Sequence, residues 1–130
     1  DQVDAKRITA ARKTSGWNGL YIGGTAFKKQ RETDPSTYGY SAQLAREHMD
    51  IVVTSGIATG CAADVRKIKI FRDNCGETAL ALASGITSEN ALEYAADVDL
   101  FMVATGINFD GDFYNIDPAR LQKLMTTLHS

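Results

Sequence analysis

The chain has 130 residues, of which 44% are hydrophobic and 23% charged, and its formal net charge is −2 at pH 7. This mix belongs to one folded domain spanning residues 1–130 and excludes fibrous or disordered architectures. No apolar run approaches the ~20 residues of a membrane-spanning helix, and the basic excess of a strong nucleic-acid binder is missing.

The sequence opens Asp1-Gln2-Val3-Asp4, without a methionine and without the charged-then-apolar pattern of a signal peptide. Such a start predicts a processed chain or a piece of a longer one. Residues 1 to 13 read as a helix leading through Ser15-Gly16 into the first of four short apolar runs. That run, Leu20-Tyr21-Ile22, ends in Gly23-Gly24-Thr25. Pro35 and Ser36 then open a helix with Tyr40, Leu44, Ala45 and His48 on one face.

The second run, Ile51-Val52-Val53-Thr54, ends in Ser55-Gly56. Behind it, Ala62 to Asn74 sets Val65, Ile68 and Phe71 at helical spacing, with Gly76 as the stop. The third run, Ala79 to Ala83, is rich enough in alanine to pass for helix. Its five-residue length and the Ser84-Gly85 behind it favour a strand. Thr87 or Ser88 caps a helix through Ala96, with Leu92 and Ala95 inward. The fourth run, Leu100-Phe101-Met102-Val103, ends in Ala104-Thr105-Gly106. Asp117-Pro118 reads as a cap and first helical residue, and Leu121, Leu124, Met125 and Leu128 form an apolar stripe behind it.

The runs are continuous rather than alternating, as strands covered on both faces should be. A helix followed by four strand-helix units predicts an α/β fold with parallel strands and right-handed crossovers. Two architectures fit. One is half of a TIM (β/α)8 barrel, whose usual length is ~250 residues. The alternative is a flavodoxin-like open sheet.

In both, the site lies at the carboxyl ends of the strands. Small and hydroxyl residues gather there. Ser84, Gly85 and Ile86 in one loop, with Thr105 and Gly106 in the next, suit a phosphate held by backbone amides, since glycine permits close approach. Ser55, Gly56, Thr59 and Gly60 form a further ligand loop. No Gly-Lys-Ser/Thr follows it, so a nucleotide P-loop is not supported. Lys28 or Lys29 can supply a point charge to an anion, and Thr54 with Ser55 can orient a polar group.

Asp110-Gly111-Asp112 resembles a metal-binding or acid/base pair, which makes Asp110 a catalytic candidate, yet with no further acidic ligand this composition is more often a turn. Asp50 and Asp99 precede strands, at the end opposite the site, and read as stability residues. His48 and His129 have no partner in view, and Cys61 and Cys75 form no Cys/His cluster. The two cysteines read as buried thiols of a protein in the reducing cytoplasm. No metal or cofactor is implied.

Four stretches carry a resemblance to a known family. They are Val53 to Gly60, Ala83 to Asn90, Asp99 to Gly106 with Asp110-Gly111 behind it, and Asn115 to Arg120. Their order and spacing resemble those of the BtpA family from about residue 50 to 125, and the resemblance extends back to Gly19. The resemblance implies a TIM-type barrel related to phosphate-binding barrels, of which this chain supplies the C-terminal half. Family members often carry a lysine after the fourth strand, where this chain reads Gly106-Ile107-Asn108.

One branch of the family is linked to photosystem I biogenesis and another lies among sugar-metabolism genes. The resemblance therefore implies a phosphorylated sugar or nucleotide-like ligand, or, as the alternative, a non-catalytic assembly factor. A flavodoxin-like domain would instead carry a flavin or nucleotide and be coloured when pure. A half barrel leaves two open strand edges and an uncovered apolar face, so a homo-oligomer covering that face is expected.

Overall fold

The computed structural model describes residues 4–130. Helix α1 (Ala5–Ser15) starts where the Asp4 carboxylate accepts a hydrogen bond from the Arg7 N–H at 3.0 Å, and stops at Gly16 with φ 65°. It buries none of its side chains. The expected helix over residues 1 to 13 thus begins at Ala5 and runs two residues further, and positions 1 to 3 lie outside the described residues.

Four strands follow: β1 (Ile22–Gly24), β2 (Ile51–Ser55), β3 (Ala79–Ala83) and β4 (Leu100–Met102). Every neighbouring pair is parallel, and the spatial order β1-β2-β3-β4 is the chain order. That order decides between the two architectures. A flavodoxin-like sheet reverses direction after its first strands and carries helices on both faces. Here the order never switches, and the helices lie on one face. The arrangement is a run of barrel units.

Helices α2 (Tyr38–Arg46), α3 (Val65–Cys75), α4 (Ala91–Tyr94) and α5 (Pro118–Leu128) supply that layer, with a 3-10 turn at Pro35–Thr37 ahead of α2. Val52, Leu80 and Leu82 point into it and meet Ala42, Ile68, Phe71, Tyr94 and Leu124. The opposite face holds a small cluster of Ile51, Val53, Ala81 and Ala83, with Phe27 and Ala79 packed against it. Ile22, Leu100 and Met102 share this face by register but remain half exposed, because no further strand flanks them among the described residues.

Two aspartates tie down the amino ends of the strands, as expected. Asp50 Oδ2 accepts from the Tyr21 N–H and pairs with Arg12, both at 2.6 Å, and these contacts hold its carboxyl below the usual range. Asp99 Oδ2 accepts from the buried Leu80 N–H at 2.8 Å and pairs with Arg72 at 2.9 Å. Each carboxylate joins neighbouring strands where the ladder runs out.

Several helix faces differ from expectation. On α2 the buried residues are Ala42 and Ala45, while Tyr40 and Leu44 are exposed. The single turn of α4 buries Ala91 and Tyr94 and exposes Leu92, and Ala95 directly behind it is exposed as well. Tyr94 wins because its hydroxyl donates to the Ala63 carbonyl at 2.7 Å, which lets a polar atom be buried without loss. Of the α5 stripe, only Leu124 is fully buried. Cys75 is buried as expected, but Cys61 is exposed on the β2–α3 loop. No helix among the described residues is long and apolar enough to cross a membrane.

Candidate functional site

The carboxyl ends of the four strands meet three backbone conformations that L side chains rarely adopt. Ala26, Lys29 and Ser84 have φ of 46°, 63° and 81°, and all three belong to loops leaving β1 or β3. Such strain persists only where surrounding contacts enforce it, and it gathers at functional sites.

The β1–α2 loop continues the sheet for one residue, as Thr25 N–H donates to the Val53 carbonyl at 2.9 Å, and then bends at Ala26. The bend carries Lys28 across the tip of β2. Its backbone N–H donates to Ser55 Oγ at 2.8 Å, and its ammonium reaches Ser84 Oγ at 2.6 Å, past the end of β3. One loop thereby spans three strand ends.

The remaining loops pack backbone on backbone. A Cβ built on Gly85 would stand 2.3 Å from the Ala62 nitrogen, and one on Gly106 would stand 1.9 Å from the Ile86 carbonyl oxygen. Asn90 laces the β3–α4 loop from within, donating to the Gly85 carbonyl at 2.8 Å and accepting from the Thr87 N–H at 2.9 Å.

Between these loops lies a pocket of about 470 Å³. Lys28, Thr59, Gly60, Ser84, Gly85, Ile86 and Thr105 line it, with Phe27, Ala83, Met102, Val103 and Ala104 as its apolar remainder. The N–H groups of Gly85, Ile86 and Thr105 find no acceptor among the described residues. An ammonium, a hydroxyl and unpaired amides on adjoining loops can bind and neutralise an anion. Lys28 is the one charged side chain on its walls among the described residues.

Other candidates from the sequence fall elsewhere. Lys29 lines a separate groove of about 910 Å³ between α1, the β1–α2 loop and α2, which none of the residues from Ser55 onward reaches. Thr54 is buried beneath the loop, its hydroxyl 3.4 Å from the Ala26 carbonyl. Ser55 supports Lys28, and Gly56 lies against the Cys61 carbonyl. Gly106 packs on Ile86 without lining the pocket. Asp110 is exposed and pairs with Arg120 at 2.9 Å, a hydrogen bond that holds its carboxyl below the usual range. Asp112 closes the turn by accepting from the Tyr114 and Asn115 N–H groups. The expected helix start behind Ser84-Gly85 also shifts, since α4 begins only at Ala91 and has four residues.

Sequence reasoning passed over Lys67 on α3. Its ammonium donates to the Ala26 and Ser55 carbonyls, both at 2.7 Å, and lies 5.1 Å over the Tyr38 ring. Burial pushes its pKa down to about 8. A lysine at a helical position reads as solvent-facing unless the fold is known.

The arrangement of units has counterparts among known proteins. A model of the BtpA family matches residues 33–130. The chain belongs to the BtpA family. Its relatives include the sgc region protein SgcQ of Escherichia coli (strain K12), 29% identical over 83 residues, or 63% of this chain and 31% of SgcQ.

Two solved barrels share the fold of this BtpA-family chain. Against phosphoribosyl anthranilate isomerase from Thermus thermophilus the TM-score is 0.60 at 20% identity, covering 83% of this chain and 49% of the isomerase. Against N-(5'-phosphoribosyl)anthranilate isomerase from Pyrococcus furiosus it is 0.64 at 14% identity, covering 96% and 57%. The chain therefore spans about a third of SgcQ and about half of each solved barrel. Assignment to the C-terminal half of a barrel fits that partial coverage.

Proposed function

We propose that this chain binds the phosphate group of a phosphorylated sugar or nucleotide-like metabolite at the carboxyl ends of its strands. The observation that carries this reading is the Lys28 ammonium, brought over β2 to Ser84 beside the unpaired N–H groups of Gly85, Ile86 and Thr105. Loops after the last two strands of a barrel often form a phosphate site, which supports the same choice of loops. Both solved barrels are named for a phosphoribosyl compound, and a phosphate-bearing ligand is the part of that name we carry over.

Thermal melting with inorganic phosphate tests the reading. Phosphate at a hundred times its Kd adds about 2.7 kcal/mol to stability, which reads as a rise of several degrees. Lys28→Met removes a charge-assisted contact of about 1.5–3 kcal/mol and should weaken phosphate binding about tenfold or more. If phosphate raises the melting temperature no more than chloride at equal ionic strength, the site is not an anion site. A partner protein captured reproducibly, with no such rise, would favour the assembly-factor reading.

The open edges favour a second copy as the cover of the uncovered face. Among the described residues β1 and β4 each have one unpaired side, and their Ile22, Leu100 and Met102 stand half exposed. Free edges of this kind recruit other chains. Light scattering on the eluting protein is expected to report a dimer or larger species, with Met102→Lys shifting it toward monomer. A wild-type monomer at low salt would remove this reading.

A further inference from the structure

Lys67 is the one ammonium drawn between the sheet and the helices without a carboxylate beside it among the described residues. Burying a cation is unfavourable unless polar groups replace its water. Here the replacements are two carbonyl oxygens and two aromatic faces, Tyr38 at 5.1 Å and Phe71 at 5.9 Å. The choice of carbonyls is informative. One belongs to Ala26, the residue whose left-handed φ bends the β1–α2 loop, and the other to Ser55, the last residue of β2.

Ser55 is shared between two lysines. Its carbonyl accepts from Lys67 on the helix side, and its hydroxyl accepts from the Lys28 N–H above the strand tip. Ala26 is two residues from Lys28, so the bend held by Lys67 sets where the Lys28 side chain can start. Without the clamp, an alanine at positive φ has reason to relax, and relaxation would carry Lys28 away from Ser84.

We propose that Lys67 is a positioning residue of the anion pocket, gathering the Ala26 and Ser55 carbonyls onto one ammonium so that the loop delivers Lys28 to Ser84. The inference rests on the anion-site reading and deepens it, since Lys67 reaches the pocket only through Lys28. Its side chain does not line the pocket.

Because Lys67 acts through Lys28, the two substitutions must fail to add. Inorganic phosphate is titrated calorimetrically into the whole chain and into Lys28→Met, Lys67→Met and the double variant, below the melting temperature of each. Sucrose is added to all four where Lys67→Met melts too low, because excluded osmolytes favour the folded state. Lys28→Met and Lys67→Met should each weaken phosphate binding, by about tenfold and by about fivefold or more, and the double variant should bind no worse than Lys28→Met. Lys67→Gln, an uncharged donor of shorter reach, should fall between wild type and Lys67→Met.

A purely structural lysine would lower the melting temperature and leave the phosphate Kd unchanged, and that result overturns the proposal. So does a double variant whose losses multiply, since Lys67 would then act independently of Lys28. If Lys28→Met itself changes nothing, the anion-site reading has failed and the role of Lys67 falls with it. If Lys28→Met weakens binding while Lys67→Met does not, the anion site stands and only the positioning role is lost.

Discussion

Gly106→Ala is expected to destabilise the fold by more than about 3 kcal/mol, the upper end for an ordinary overpacked core residue. Its Cβ would stand 1.9 Å from the Ile86 carbonyl oxygen and 3.0 Å from the carbonyl carbon. Both are backbone atoms, so no rotamer change relieves the contact. Relief requires the β3–α4 and β4–α5 loops to separate, which would pull Ile86 from a site where it is 1% exposed. A drop of ~10 °C or more in melting temperature should follow.

Gly111→Ala provides the contrast. Gly111 also belongs to the β4–α5 loop and has φ +74°, yet a Cβ there meets nothing within 4 Å. Only the left-handed backbone penalty remains, roughly 1–2 kcal/mol. Circular dichroism melts of the two variants separate close approach from conformational preference. If Gly106→Ala melts within about 3 °C of wild type, the two loops are not packed as described. The same geometry explains why Gly85→Val is a poor probe of ligand binding. With Ala62 N at 2.3 Å from its Cβ position and φ +67°, it would disturb the loops whether or not phosphate binds.

This distinction between glycines marks what the sequence could and could not tell. Glycine at a strand tip signals a tight loop, and of the two pairs Ser84, Gly85 and Thr105 line the pocket while Gly106 does not. It does not say whether the glycine faces a ligand or another loop, because that depends on residues far away in the chain. Gly106 meets Ile86, and Gly85 meets Ala62. Strands were legible where continuous apolar runs ended in small residues, and β3 runs from Ala79 to Ala83 as read. But β1 keeps only Ile22 of the Leu20-Tyr21-Ile22 run and continues through the glycines expected to end it. Helix faces were less so. In α4, Leu92 outweighs Tyr94 in hydrophobicity, but a buried Tyr94 gains the Ala63 carbonyl, a partner 31 positions away. Lys28 could be named from its charge beside a strand tip, while its neighbour Lys29 points to another groove. Lys67 could not be named, since its partners belong to two loops brought together only by the sheet.

Phe71→Ala is the second large effect and joins the core to the site. Phe71 is 0% exposed among Ile68, Leu80 and Leu82 on the helix-facing side of the sheet, with the Tyr38 ring 6.1 Å away and tilted by 55°. Truncating a buried phenylalanine costs about 3–5 kcal/mol, because transfer energy and a residual cavity add. A domain with only about 5–15 kcal/mol in total would lose a large share of its stability. The ring also lies 5.9 Å from the Lys67 ammonium, and removing it strips one of the two aromatic faces that replace that cation's water. Phe71→Leu keeps most of the volume but loses the π face. The two variants therefore divide the role of Phe71. Urea unfolding should place Phe71→Ala far below wild type and Phe71→Leu between them, while phosphate affinity in Phe71→Leu, still folded, reports the aromatic support of Lys67 alone. A Phe71→Ala chain that loses under about 1 kcal/mol would mean that α3 does not pack on β2 and β3 through this ring, and the support of the pocket from the helix side would have to come from elsewhere.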